Sequence, residues 1–214
     1  MDVRRSVEIE TDGMRLPGDL VIPGGARAVI VFAHGSGSSR SSPRNVQVAR
    51  RLNEERLGTL MFDLLTEDES ADRRLVFDIS LLGRRMIEAV SWVRRSEPEL
   101  PIGLFGASTG AAAALVSAAG VPEVGAIVSR GGRPDLAGDA LERVTAPTLL
   151  IVGEGDHEVL ELNRQAQARM RCETRFEIVP GATHLFEEPG ALERVADLAA
   201  GWFGGHLASG SGPG

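Results

Sequence analysis

Short, unbroken apolar runs alternate along this chain with longer segments in which apolar residues recur every three or four positions. That is the pattern of a mostly parallel sheet covered by helices on both faces. Ala28-Val29-Ile30-Val31-Phe32-Ala33 contains no polar position, as a strand buried on both faces requires. Runs at 59–62, 102–105, 124–128 and 148–152 resemble it, and Phe176 to Val179 predicts a last, half-polar strand. Residues 6–10 and 18–22 predict two edge strands forming an antiparallel pair. Between the runs, Leu82, Met86, Val90 and Val93 mark one helix face. The Ala-rich stretch from Thr109 to Gly120 predicts a helix able to approach the sheet closely. Leu192, Val195, Leu198, Trp202 and Leu207 predict a final helix, which Pro189 would open at its first turn. The expected fold class is therefore α/β, with about eight strands in one mostly parallel sheet. The expected organisation is one domain over residues 1–207 and a flexible Gly/Ser tail over 208–214.

Charge and composition narrow the function classes. The chain carries 30 acidic and 23 basic residues, a net charge of −7, and every basic residue is Arg. No Arg cluster forms a separate stripe, and an acidic chain repels phosphate backbones, so nucleic acid is not an expected partner. Apolar runs fall short of the ~20 residues of a membrane span. The start, Met1-Asp2-Val3-Arg4-Arg5, leads into strand-like alternation rather than the apolar stretch of a signal peptide. Cys172 is the only cysteine, so no intramolecular disulfide forms, and a cytoplasmic location is expected.

The chemistry is concentrated at Gly106-Ala107-Ser108-Thr109-Gly110, a G-x-S-x-G pentapeptide directly after the strand 102–105 and directly before the Ala-rich helix. A serine on a sharp strand-to-helix turn is exposed, and small neighbours relieve its crowding. The helix N-terminus supplies N–H groups and positive dipole for a developing oxyanion. A Ser in this position can also simply cap the helix. As a nucleophile it needs a His to take its proton and an acid to orient that His. Of the four histidines, His34 lies at the end of the third strand, upstream of Ser108, His206 sits at the frayed end of the last helix, and His157 is adjacent to Asp156. His184 follows the last strand, where the order Ser…Asp…His places the base. For the acid, Asp156 in Gly153-Glu154-Gly155-Asp156 ends an apolar strand on the same rim as Ser108. Asp156 can also be read as a helix N-cap, and Asp135 is the rival acid.

The ordered set His34-Gly35-Ser36-Gly37, Gly106-Ala107-Ser108-Thr109-Gly110, Gly153-x-x-Asp156 and Gly181-x-x-His184 resembles the α/β-hydrolase superfamily. Over residues 28–205, and most of all in Ala28–Asn45 and 101–116, the chain resembles the dienelactone-hydrolase-like branch, with Ser108 where true dienelactone hydrolases carry Cys. The resemblance implies an α/β-hydrolase fold and a serine hydrolase using Ser108, Asp156 and His184 on a small ester, lactone or thioester. It implies an oxyanion hole from the backbone N–H groups of Thr109 and Ser36, with Gly37 as an alternative to Ser36, and a structural His34. No cofactor or metal is expected. Acyl transfer, perhydrolysis and a non-catalytic interaction domain are the other readings of the same fold.

Only Ser129 to Ala146 join the sixth and seventh strands, so no cap domain is expected, and the cleft should be open and favour short acyl groups. Arg40 and Arg44 follow the 34–37 loop, while Arg130 and Arg133 follow the sixth strand. Either pair could meet a substrate carboxylate, or else pair with neighbouring acids on the surface. Glu67-Asp68-Glu69 reads as a solvated loop.

Overall fold

The computed structural model describes residues 1–207; the tail predicted over 208–214 lies outside the described residues. Eight strands form one sheet: β1 (Val3–Thr11), β2 (Met14–Ile22), β3 (Ala28–Ala33), β4 (Leu57–Phe62), β5 (Ile102–Ala107), β6 (Val124–Arg130), β7 (Thr148–Gly153) and β8 (Thr174–Val179). Their order is β1-β2-β4-β3-β5-β6-β7-β8. β1 and β2 form the antiparallel hairpin the alternation predicts, and β2 also runs antiparallel to β4. All remaining pairings are parallel. β3, β5 and β7 are buried at every position, which explains their almost wholly apolar sequences.

The helices are α1 (Pro43–Glu54), α2 (Glu67–Ser70), α3 (Arg73–Val76), α4 (Ile79–Ser96), α5 (Thr109–Gly120), α6 (His157–Arg169) and α7 (Ala191–His206), with a 3₁₀ segment over Pro134–Arg143. Apolar side chains of α1 and α7, such as Leu52 and Val195, pack on one sheet face with Ile30, Phe105 and Val128. Those of α4, α5 and the 3₁₀ segment pack on the other with Val31, Leu104 and Ile127. Small residues let α4 and α5 lie close: a Cβ at Gly83 would come within 2.7 Å of the Val116 side chain.

Two local expectations are corrected. Pro189 does not lie in the first turn of α7; Gly190, with φ 79°, is the N-cap and the helix begins at Ala191. Left-handed backbone suits Gly, so the chain turns there rather than at the proline. Nor is Glu67-Asp68-Glu69 a loop. It forms α2, opened by a capping box in which Thr66 accepts from the Glu69 N–H and Glu69 accepts from the Thr66 N–H. Glu69 also accepts from Arg85 of α4 through two 2.7 Å bonds. Arg85 is 1% exposed and donates in addition to Leu64 O at 2.7 Å. Ser129 to Ala146 hold only the 3₁₀ segment, and no cap domain separates the sheet's C-terminal rim from solvent.

Candidate active site

Ser108 stands between β5 and α5 with φ 51° and ψ −122°, at the N-cap position but without a side-chain capping bond. A non-Gly residue held at such angles costs of order 1–3 kcal/mol and persists only where its surroundings over-determine it. Here its N–H donates to Arg130 O at 3.2 Å, and its carbonyl accepts from the Arg133 N–H at 3.0 Å. The neighbouring glycines are obligatory for packing. A Cβ at Gly106 would lie 2.4 Å from Ala111 Cα, and one at Gly110 would lie 2.3 Å from Ala33 O.

His184 and Asp156 meet because the loops after β7 and β8 are zipped together. Glu154 N–H donates to Val179 O at 3.0 Å and Gly155 N–H to Ala182 O at 2.9 Å. Gly181 N–H donates to the Glu154 carboxylate at 2.7 Å. The His184 Nδ1–H then reaches Asp156 Oδ2 at 2.6 Å, with Asp156 14% and His184 40% exposed. Asp156 is the N-cap residue of α6, yet its side chain makes no capping bond, so the carboxylate is committed to His184. Asp135 is committed elsewhere, accepting two bonds from Arg133 at 2.9 and 2.8 Å. Ser108 and His184 flank one turn, since a Cβ at Gly131 would sit 3.6 Å from His184 Cε1. Ser108 Oγ has no hydrogen-bond partner among the described residues.

None of the other histidines bonds to this pair among the described residues. His34 donates through Nδ1 to Gly35 O and accepts from the Leu64 N–H through Nε2, both at 3.0 Å. Burial pushes its pKa below the usual imidazole value, which keeps both bonds intact as the neutral ring. His157 begins α6, and His206 ends α7 against Trp202, with ring centroids 4.0 Å apart. The Thr109 N–H lies in the first turn of α5, where a helix offers no backbone acceptor. The Ser36 N–H donates to Thr109 Oγ1 at 2.9 Å, so the two predicted oxyanion residues are tied to each other, a contact the sequence does not reveal. Gly37 adopts φ 69° in the same loop.

A cleft of about 790 Å³ meets the site at Gly35, Ser36 and Thr109. One wall is the stretch Ser38–Arg44, and the other comes from α2 and its flanks, including Leu65 and Val76, a wall not foreseen from sequence. Three of the four candidate arginines are paired with acids, two of them closely. Arg40 donates through Nε to Asp19 at 3.1 Å and through Nη1 to Asp63, whose carboxylate also accepts the Arg40 N–H at 2.7 Å. Arg133 is held by Asp135. Arg44 has a 3.3 Å bond to exposed Glu187, and Arg130 has no carboxylate partner among the described residues. No group of three or more His, Cys, Asp or Glu residues is placed to hold a metal among the described residues, and no helix is long and apolar enough to cross a membrane.

The eight-stranded sheet, the serine at the strand-to-helix turn and the His–carboxylate pair beside it define a class, and the chain belongs to it: a model of the alpha/beta hydrolase domain family matches residues 26–197. Within that superfamily it falls in the dienelactone-hydrolase-like branch. The crystal structure of a dienelactone hydrolase from Anabaena variabilis is 50% identical, with TM-score 0.93, over 96% of this chain and 99% of that one. Est1E from Butyrivibrio proteoclasticus shares the fold, with TM-score 0.81 at 17% identity over 95% of this chain and 99% of that one. A protein of Mycobacterium tuberculosis H37Rv named "Putative phosphoribosyl transferase" is 54% identical over 97% of this chain. This chain spans 47% of that relative's length.

Proposed function

We propose that the protein is a serine hydrolase that cleaves a small ester, lactone or thioester through an acyl-enzyme. The observation that carries this reading is the 2.6 Å bond from His184 Nδ1 to Asp156, formed beside a serine with φ 51° on the G-x-S-x-G turn. With Nδ1–H donated to the carboxylate, Nε2 is the ring's free acceptor. It takes the Ser108 proton as Oγ bonds to the substrate carbonyl carbon, and Asp156 stabilises the resulting imidazolium. The carbonyl electron pair moves onto oxygen, where the Thr109 N–H receives it, joined by the Ser36 N–H turning from Thr109 Oγ1. Collapse expels the alcohol or thiol, which His184 protonates, and water then repeats the sequence to release the acid and restore Ser108. Apart from substrate and water, every group in this scheme belongs to the protein, and the scheme calls for no cofactor.

The name of the mycobacterial relative belongs to a protein about twice as long, and what this chain shares with it is the matched half. The lone free thiol of half-buried Cys172 accords with a cytoplasmic protein. The decisive experiment is covalent labelling with a fluorophosphonate, followed by a panel of p-nitrophenyl esters, lactones and thioesters. Labelling and turnover should both disappear in Ser108→Ala. Labelling that persists there would assign the nucleophile to another residue, and adding an alcohol acceptor separates hydrolysis from acyl transfer.

A further inference from the structure

Arg130 ends β6 next to the nucleophile turn, its carbonyl accepting the Ser108 N–H. Its side chain lies on the α1 face of the sheet, among Asn45, Arg44 and Phe186. The residue is only 8% exposed, yet its guanidinium has no acid partner among the described residues. Its one hydrogen bond is a long 3.4 Å donation from Nη2 to Asn45 Oδ1, and its buried Nε has no partner among the described residues. The Phe186 ring lies 6.0 Å from Cζ. Burial lowers Arg130 to about 10, and the like charge of Arg44 beside it adds to the shift. Arg44 is under-satisfied as well: its Nε is buried without a partner, and its Nη1 reaches only solvent-exposed Glu187.

Buried Arg85 shows how this chain otherwise neutralises an interior guanidinium, with a bidentate carboxylate and a carbonyl. An uncompensated buried charge is strongly unfavourable, and two adjacent cations compound it. The surroundings are electropositive on a third account. Arg44 and Asn45 occupy the first turn of the twelve-residue helix α1, whose N-cap Ser42 supplies no side-chain cap. Arg44, Ser42 and Pro43 also line the cleft described above.

We propose that Arg130 and Arg44, at the N-terminus of α1, form a binding site for a small oxyanion, a carboxylate or a phosphate. Planar guanidinium donors match such an oxyanion in pairs, and the ion would supply the acceptor that Arg130 Nε lacks while displacing Glu187 from Arg44. The ion is either a group carried by the substrate or a free solute. Binding itself stands apart from the hydrolase reading, and only its use in choosing substrates rests on that reading.

The test titrates the full chain with inorganic phosphate and with succinate at constant ionic strength, read by calorimetry and by thermal shift against chloride. Saturable binding with a raised Tm is expected. Arg44→Gln should weaken it about 10- to 100-fold, the fold-change of one charge-assisted pair. Arg130→Gln should do at least as much, and if it fails to fold, Arg44→Gln alone carries the test. No saturable binding to the wild type, or unchanged affinity in Arg44→Gln, would overturn the proposal. Kinetics then identify the source. For a substrate-borne group, the ratio of kcat/KM for hemisuccinyl over butyryl p-nitrophenyl esters is high and falls ~10-fold or more in Arg44→Gln. For a free ion, that ratio is the same in both proteins while phosphate still binds. If no ester is cleaved at all, the titration still decides the binding site, so its failure and that of the hydrolase reading are separable.

Discussion

Replacing Asp156 with Asn exchanges one carboxylate oxygen for an NH₂ group with almost no change in volume and removes the charge that faces His184. In the native site Nδ1–H meets a carboxylate oxygen at 2.6 Å, and that carboxylate is 14% exposed. In the proposed mechanism the imidazole becomes a cation when Ser108 gives up its proton. Opposite charges ~4 Å apart at an effective dielectric constant of about 20 attract by about 4 kcal/mol. The amide forfeits that attraction. It can also turn its NH₂ toward Nδ1, which selects the tautomer whose Nε2 carries the proton and cannot accept another. The two losses together correspond to a fall in kcat of ~10⁴, or about 5.5 kcal/mol at 1.36 kcal/mol per tenfold. The assay is initial-rate hydrolysis of p-nitrophenyl butyrate by wild type, Asp156→Asn and Asp135→Asn, with Tm measured for each. Asp135, held in its two bonds to Arg133, is the control and should leave kcat within a few-fold of wild type. An Asp156→Asn enzyme within ~10-fold of wild type, or an Asp135→Asn enzyme that falls as far, would refute the assignment.

Other expected outcomes follow from the same geometry. Ser108→Ala should lower kcat at least ~10⁴-fold with an unchanged Tm, since the hydroxyl makes no capping bond to the helix it precedes; residual rates above that level would move the nucleophile elsewhere. Gly110→Ala would drive a Cβ to 2.3 Å from Ala33 O, backbone against backbone, and should destabilise the protein by about 1–3 kcal/mol or more in urea unfolding. Glu69→Gln would strand the Arg85 guanidinium and should cost about 3–5 kcal/mol at neutral pH. Arg85 holds the Glu69 carboxyl down at about 2, below its unfolded value of about 4.3, so the difference from wild type should be complete above pH ~5 and vanish as pH falls toward 2. A gap between the two proteins that stays constant down to pH 2 would contradict the pairing. Among acyl chains, kcat/KM should gain from acetyl to butyryl and not rise further to octanoyl, because an uncapped rim forgoes most of the ~0.8 kcal/mol per buried CH₂; an octanoyl optimum would show that the α2 wall buries the long chain.

What the sequence determined by itself was everything written in neighbouring residues. Ala28–Ala33 is a strand buried on both faces because six consecutive apolar residues leave no other place for it, and the structure leaves all six buried. Ser108 is legible because a strand, two glycines and a helix are contiguous, and the steric demand on Gly106 and Gly110 is local to that turn. The α2 helix was missed because an acidic tetrapeptide looks solvated until Arg85, sixteen residues on, is brought beneath it. Tertiary structure alone set Asp156 rather than Asp135 against His184, since both follow β strands and both lie at the start of helical segments. The choice depends on which loop the one after β8 is laced to, and the bonds from Glu154 and Gly155 lace it to β7. The four arginines divide in the same way. Arg40 and Arg133 find acids and Arg130 finds none, because charge compensation is a matter of distances of a few ångströms between segments far apart in the chain. Residue type and local order encode the backbone's path; the pairing of side chains across that path is set only when the sheet closes and brings its loops to one rim.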